Sequence, residues 1–187
     1  GSPNRPVLPV HRIDRDTSGL VAFAKTPHAA AMLDVQFRKH AVDRVYLALV
    51  RGTPSDRKIE SRIDRDRGDG RRGSVDGDAG KRAVTFVKVK EQFDGFALVE
   101  CRLETGRTHQ VRIHLGEAGW PLCGETVYDR PLDGQPLPDG SGAGRPMLHA
   151  TRLGFAHPET AAEMAWEIAP PPDFAAVLAR VSSRAMV

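Results

Sequence analysis

The sequence predicts a mixed α+β fold with antiparallel pairing, and three observations carry that expectation. Asp94-Gly95 separates two strand-like runs, at 83–91 and 96–105, and an Asp-Gly pair between such runs is a strong hairpin signal. Helical spacing follows Thr26-Pro27 and again Thr108, each time next to a strand-like run. At 187 residues, 40% hydrophobic and 27% charged, the chain is expected to form one domain, residues 1–187, around one main core.

Taken in order, Gly1-Ser2 reads as the scar of a protease-cleaved tag and is set aside. HRIDRDTSG, residues 11–19, then crowds charge and turn residues together before an apolar run from Gly19 to Lys25, which predicts a short buried strand. Thr26 suits a helix cap and Pro27 the first helical position, and the helix puts Ala30, Leu33 and Phe37 on one face. A strand is expected at 45–50, stopped by Gly52-Thr53-Pro54. Residues 64–81 contain five Gly, many charges and almost nothing apolar, so they are expected to be a mobile loop. In the hairpin, Ala97, Val99, Cys101 and Leu103 alternate as one buried face. Val111, His114, Leu115 and Ala118 are helically spaced, with Thr108 as the expected cap and Gly119 then Pro121 as the stop. A second loop spans 131–146, a further strand begins near Met147, and a closing helix runs from about Asp173 to Val181.

Composition narrows the function. No apolar run approaches the roughly 20 residues that cross a bilayer, and Cys101 and Cys123 are too few for a disulfide framework, so a reducing cytoplasm is expected; the chain is taken to be a monomer. Net charge is only +3, and the excess is local: residues 57–82 hold nine Lys/Arg against six Asp/Glu. Basic residues are 21 Arg and 6 Lys, which suits phosphate and base stacking but equally reflects a G+C-rich coding sequence. Among the seven histidines, His109 and His114 are five apart and no acidic ligand shares their spacing, so no metal site is expected. Kinase, P-loop and dinucleotide fingerprints are absent, and no cofactor is implied.

What remains is an acid and a base on turns, where a rigid scaffold lets reactive groups reach a cleft. Asp14 in HRID and Arg107 in GRTHQ are the candidates, because a guanidinium beside a carboxylate keeps it ionised and aims it. Local pattern alone fits equally well with Asp14 and Asp16 as turn caps, and with Tyr46 as a core tyrosine whose hydroxyl is satisfied.

Wider pattern separates these readings. His11 to Gly19 resembles the H-R-L-D-x-x-T-S-G hallmark of the RluA-type pseudouridine synthases. Arg44-Val45-Tyr46-Leu47-Ala48-Leu49-Val50 resembles that family's Tyr strand, and Gly106 to His114 its G-R-T-H-Q block. Leu148-His149-Ala150 and Phe155 to Pro158 continue the likeness, which spans nearly the whole chain.

The resemblance implies a pseudouridine synthase fold, a bent, mostly antiparallel sheet flanked by helices with the active cleft across it. It implies isomerisation of uridines in ribosomal or transfer RNA without a cofactor. Asp14 would be the nucleophile, acting at the sugar carbon, at carbon 6 of uracil or as a base; Tyr46 would stack on the uracil, and Arg107 would pair with Asp14. Arg12, Thr17, His109 and Leu148 complete the expected substrate-binding set, with Arg12 entering the RNA stack, Thr17 holding the turn and His109 packing. The family has a strand and a Lys-Pro turn ahead of the hallmark, so the N-terminal part of the fold is expected to be missing here. A silent RNA-binding module is the main competing reading, and it would not need Asp14 and Arg107 together. A nuclease or deaminase would need metal ligands or paired acids that the sequence does not offer.

Overall fold

The computed structural model describes residues 7–132 and 134–183, so the reading of Gly1-Ser2 lies outside the described residues. The chain begins with three very short strands, β1 (Leu8–Pro9), β2 (Ser18–Gly19) and β3 (Phe23–Ala24), followed by helix α1 (Pro27–Arg38). Five strands follow: β4 (Asp43–Arg51), β5 (Arg57–Asp64), β6 (Gly73–Val75), β7 (Lys81–Gln92) and β8 (Phe96–Leu103). Helix α2 (Gln110–Glu117), strands β9 (Leu148–Ala156) and β10 (Glu163–Glu167) and helix α3 (Pro172–Ser182) complete the order.

The main sheet runs β10-β9-β4-β8-β7-β5-β6, every neighbour antiparallel, with β2 joined in parallel to β9. This is the α+β, mostly antiparallel architecture the sequence implied. At its centre β4 is apolar on both faces, as a strand covered on both sides must be. Ala48 and Val50 pack with Val99, Cys101 and the α2 residues Val111 and Leu115. Leu49, on the opposite face, packs with Phe174, Val177 and Val181 of α3. Helix α1 covers a third cluster through Leu33, Ala30 and Phe37 against Leu153 and Phe155, and Thr26 caps it by accepting from the Ala29 N–H at 3.1 Å. The hairpin at Asp94-Gly95 forms as expected, with Gly95 at φ +70°.

Three expectations are corrected. Gly19 to Lys25 is not one strand: β2 leaves to pair with Ala150 of β9, and β3 pairs with β1, so neighbouring residues serve two sheets. Residues 64–81 are not a featureless loop, because β6 pairs with β5 inside them. Their own charges close the turn: Asp66 accepts from the N–H groups of Gly68 and Gly70 at 2.8 and 2.9 Å, and Arg67 bridges Asp69 and Glu117. Mixed charge replaces the apolar surface that the segment lacks. Thr108 does not cap α2. His109 holds that position in a left-handed conformation, and Gln110 reaches back instead, its amide oxygen accepting from the Arg107 N–H at 2.9 Å.

Candidate active site

Two anchors fix the loop that carries Asp14. On one side the His11 Nε2 accepts the Ala22 N–H at 2.9 Å, and its ring stacks on Phe37 at 4.7 Å. An imidazole accepting with that nitrogen must stay neutral, and burial, with Arg44 near by, takes the His11 pKa down to about 4. On the other side, Ser18 Oγ bonds His149 Nδ1 at 3.0 Å, and Gly19 lies so close to Ala150 that any Cβ would collide with its carbonyl. Between them the Thr17 N–H donates to the Asp14 carbonyl at 3.0 Å, closing the turn. Arg145 braces it from outside, donating to the Asp16 carbonyl at 2.9 Å while paired with Asp173 at the start of α3. Asp14 is therefore a mounted side chain, 17% exposed.

The group facing it comes from α2. Arg112 Nη1 stands 4.0 Å from Asp14 Oδ2, and His109 Nε2 stands 3.9 Å from Oδ1. The rest of the Arg112 guanidinium grips Glu125, with Nε donating to Oε2 at 2.7 Å and Nη2 to Oε1 at 2.9 Å. Burial opposes the Glu125 charge, yet this fork and the Val127 N–H hold its carboxyl below the ordinary range. Tyr128 lies under the same guanidinium, 5.3 Å from Cζ to ring centre, and its hydroxyl meets His109 Nδ1 at 2.8 Å. Burial draws the His109 pKa down, with Asp14 opposing and Arg112 assisting that shift.

A cleft of about 440 Å³ opens over this loop and crosses the sheet at β9, β4 and β8, through Leu148, Tyr46 and Leu103. Where β4 meets β9 the register shifts between Val45 and Tyr46, and the residue left without a partner is Thr151 of β9, while β4 itself pairs regularly with β8 through Tyr46. Burial raises the Tyr46 pKa, with Arg44 opposing and the Asp14 charge assisting, so its hydroxyl keeps its proton at ordinary pH.

All seven residues singled out from the sequence line this cleft: Asp14, Tyr46, Arg107, Arg12, Thr17, His109 and Leu148. One expected relationship fails. Arg107 does not pair with Asp14; it lies on the turn before α2, and its Nε donates to the Arg82 carbonyl at 2.8 Å. Among the described residues the guanidinium within 4.0 Å of Asp14 belongs to Arg112. Sequence reasoning missed Arg112, Glu125 and Tyr128. The spacing of His109 and Arg112, three apart at a helix start, was a usable signal that they share a face. Nothing local marked Glu125 or Tyr128. His114 is buried between Ser61 Oγ at 3.0 Å and Thr85 Oγ1 at 2.9 Å.

An antiparallel sheet crossed by a cleft, with a mounted aspartate facing an arginine and a tyrosine on the cleft wall, agrees with the match of residues 2–117 to the RNA pseudouridylate synthase family model. The chain belongs to that family, and its relatives identify the RluA type. It is 44% identical over 169 residues to the ribosomal large subunit pseudouridine synthase D of Neisseria meningitidis serogroup A, covering 88% of this chain and 45% of that protein. It is 39% identical to the chloroplastic RNA pseudouridine synthase 2 of Arabidopsis thaliana, covering 90% of this chain and 45% of that one. The chain thus spans about half the length of such curated relatives. Among solved structures, human RNA pseudouridylate synthase domain containing 4 superposes with a TM-score of 0.76 at 25% identity, over 94% of this chain and 76% of that one.

Proposed function

We propose that this chain, acting as one catalytic domain, isomerises uridine to pseudouridine within RNA. The observation that carries the reading is the approach of Arg112 to within 4.0 Å of Asp14, whose cleft Tyr46 also lines. The reaction breaks the bond from the sugar to N1 of uracil, turns the base and joins C5 to the same sugar carbon. C5 gives up its proton and N1 gains one, so nothing is oxidised. Asp14 is the nucleophile, and Arg112 takes over the role expected of Arg107, favouring the ionised carboxylate and aiming it. Tyr46 stacks on the uracil, and the apolar wall of Leu148 and Leu103 retains the base while it turns.

The target base must leave its stack, at a cost of a few kcal/mol that is least in loops, so an unpaired uridine in structured RNA is the substrate. The names of the bacterial relatives support ribosomal RNA over transfer RNA. Arg12, exposed at the cleft mouth, is suited to fill the gap in the stack. The chain works as a monomer in the cytoplasm in this reading; its two free, buried cysteines fit a reducing compartment, and no helix among the described residues is long and apolar enough to cross a membrane. The test is release of tritium from RNA labelled at C5 of uridine. Release that depends on this chain supports the reading, and its absence with well-folded protein and ribosomal RNA refutes it.

A further inference from the structure

Arg44 is 9% exposed and carries its charge into the cleft with almost nothing to answer it. Its Nε has no hydrogen-bond partner, and its Nη2 makes only a 3.5 Å contact with the Glu104 carbonyl. The nearby acids are committed elsewhere. Glu104 gives its carboxylate to Arg82, and Asp14 has His109 and Arg112 within 4.0 Å. Beside the guanidinium are instead the Phe37 ring, 6.0 Å from Cζ, and a second cation, Arg107. Gly106 passes so near that a Cβ there would collide with Arg44 Nη1, so the backbone has made room for this group. Burial lowers the Arg44 pKa, with Tyr46 opposing and Arg107 assisting, and burial followed by Arg107 and Arg44 lowers that of His40.

A buried guanidinium without a counter-ion, next to another guanidinium, is strongly unfavourable unless an anion arrives. We propose that Arg44 and Arg107 form a phosphate subsite, which takes the backbone phosphate of the nucleotide whose base lies on Tyr46. The planar fork of arginine matches a phosphate, which two arginines clasp from different sides. Arg44 and Tyr46 alternate on β4, so they stand on one face roughly 6.8 Å apart, which suits a base and the phosphate of the same nucleotide. A fixed phosphate holds the ribose still while the detached base turns. The nucleotide's identity rests on the isomerase reading; the phosphate subsite rests on the unpaired guanidinium.

The test follows the Arg44 Nε–H resonance in isotope-labelled protein, assigned by its loss in Arg44→Lys. The subsite predicts a saturable shift with inorganic phosphate and with uridine monophosphate, and none with uridine. In Arg44→Met the affinity for uridine monophosphate falls about tenfold, with the melting temperature unchanged or raised. With a synthetic RNA hairpin carrying one unpaired uridine, Arg44→Met lowers the slope of log affinity against log salt by about one. A neutral methylphosphonate at that uridine weakens binding to the native protein clearly more than to Arg44→Met, in which Arg107 alone remains to meet the phosphate. A resonance indifferent to both anions, or equal methylphosphonate losses in the two proteins, overturns the proposal. Should Arg44→Met fail to fold, the resonance titration decides alone. A phosphate-dependent shift in a protein that releases no tritium upholds the subsite and counts against the isomerase reading.

Discussion

Arg112 stands 4.0 Å from Asp14 through Nη1 while its other two nitrogens hold both oxygens of Glu125. One guanidinium is thereby shared between an acid in the cleft and an acid buried behind it, and the buried one fixes its direction. Arg112→Lys keeps the charge but loses the fork, and kcat is expected to fall by about a hundredfold or more with RNA affinity nearly unchanged. Arg107→Lys is expected to raise KM more than it lowers kcat. Steady-state tritium release separates the two, and the opposite pattern restores Arg107 to the side of Asp14.

Removing Arg112 outright strands the Glu125 charge. Arg112→Met is expected to cost about 3–5 kcal/mol in denaturant unfolding, and Arg112→Met with Glu125→Leu to recover most of that without recovering activity. Recovery of activity along with stability contradicts the positioning role.

Gly19 sits at φ +120° against the Ala150 backbone, the parallel step that ties the Asp14 loop to β9. Gly19→Ala meets both a strained φ and a steric collision, so a loss of several kcal/mol is expected. Because β2 rather than the core takes the strain, activity should fall at temperatures where circular dichroism still reports a folded sheet.

Stability should decline on acidification through the histidines. His11 and His114 both titrate at about 4 in the folded chain because burial disfavours their cations, against 6.5 for the free side chain. Below 6.5 the unfolded chain binds protons that the folded one refuses. The stabilisation is therefore complete above pH 6.5 and is lost progressively towards pH 4, at up to about 1.4 kcal/mol per pH unit for each ring. His114→Asn should flatten the urea-midpoint profile in that window.

Much of the scaffold was legible because its signals are local. Thr26-Pro27, Asp94-Gly95 and the alternation from Ala97 to Leu103 each report backbone geometry within a few residues. The cleft residues were legible as motifs, but their pairing was not. Arg107 and Arg112 are equally charged in the sequence, and only the helix start at His109 decides which of them faces Asp14. Glu125 and Tyr128 arrive from the turn after Pro121, a contact that no local pattern encodes. Residues 64–81 misled because hydrophobic content was the criterion, whereas carboxylates bonded to backbone N–H groups do the ordering there.

Asp14→Asn tests the central claim most directly. The amide is nearly isosteric, so the loop, the cleft and RNA affinity should persist within several-fold, while tritium release from uridine-labelled RNA should disappear. Turnover at anything near the native rate by a folded, RNA-binding Asp14→Asn protein contradicts the assignment of this carboxylate as the nucleophile.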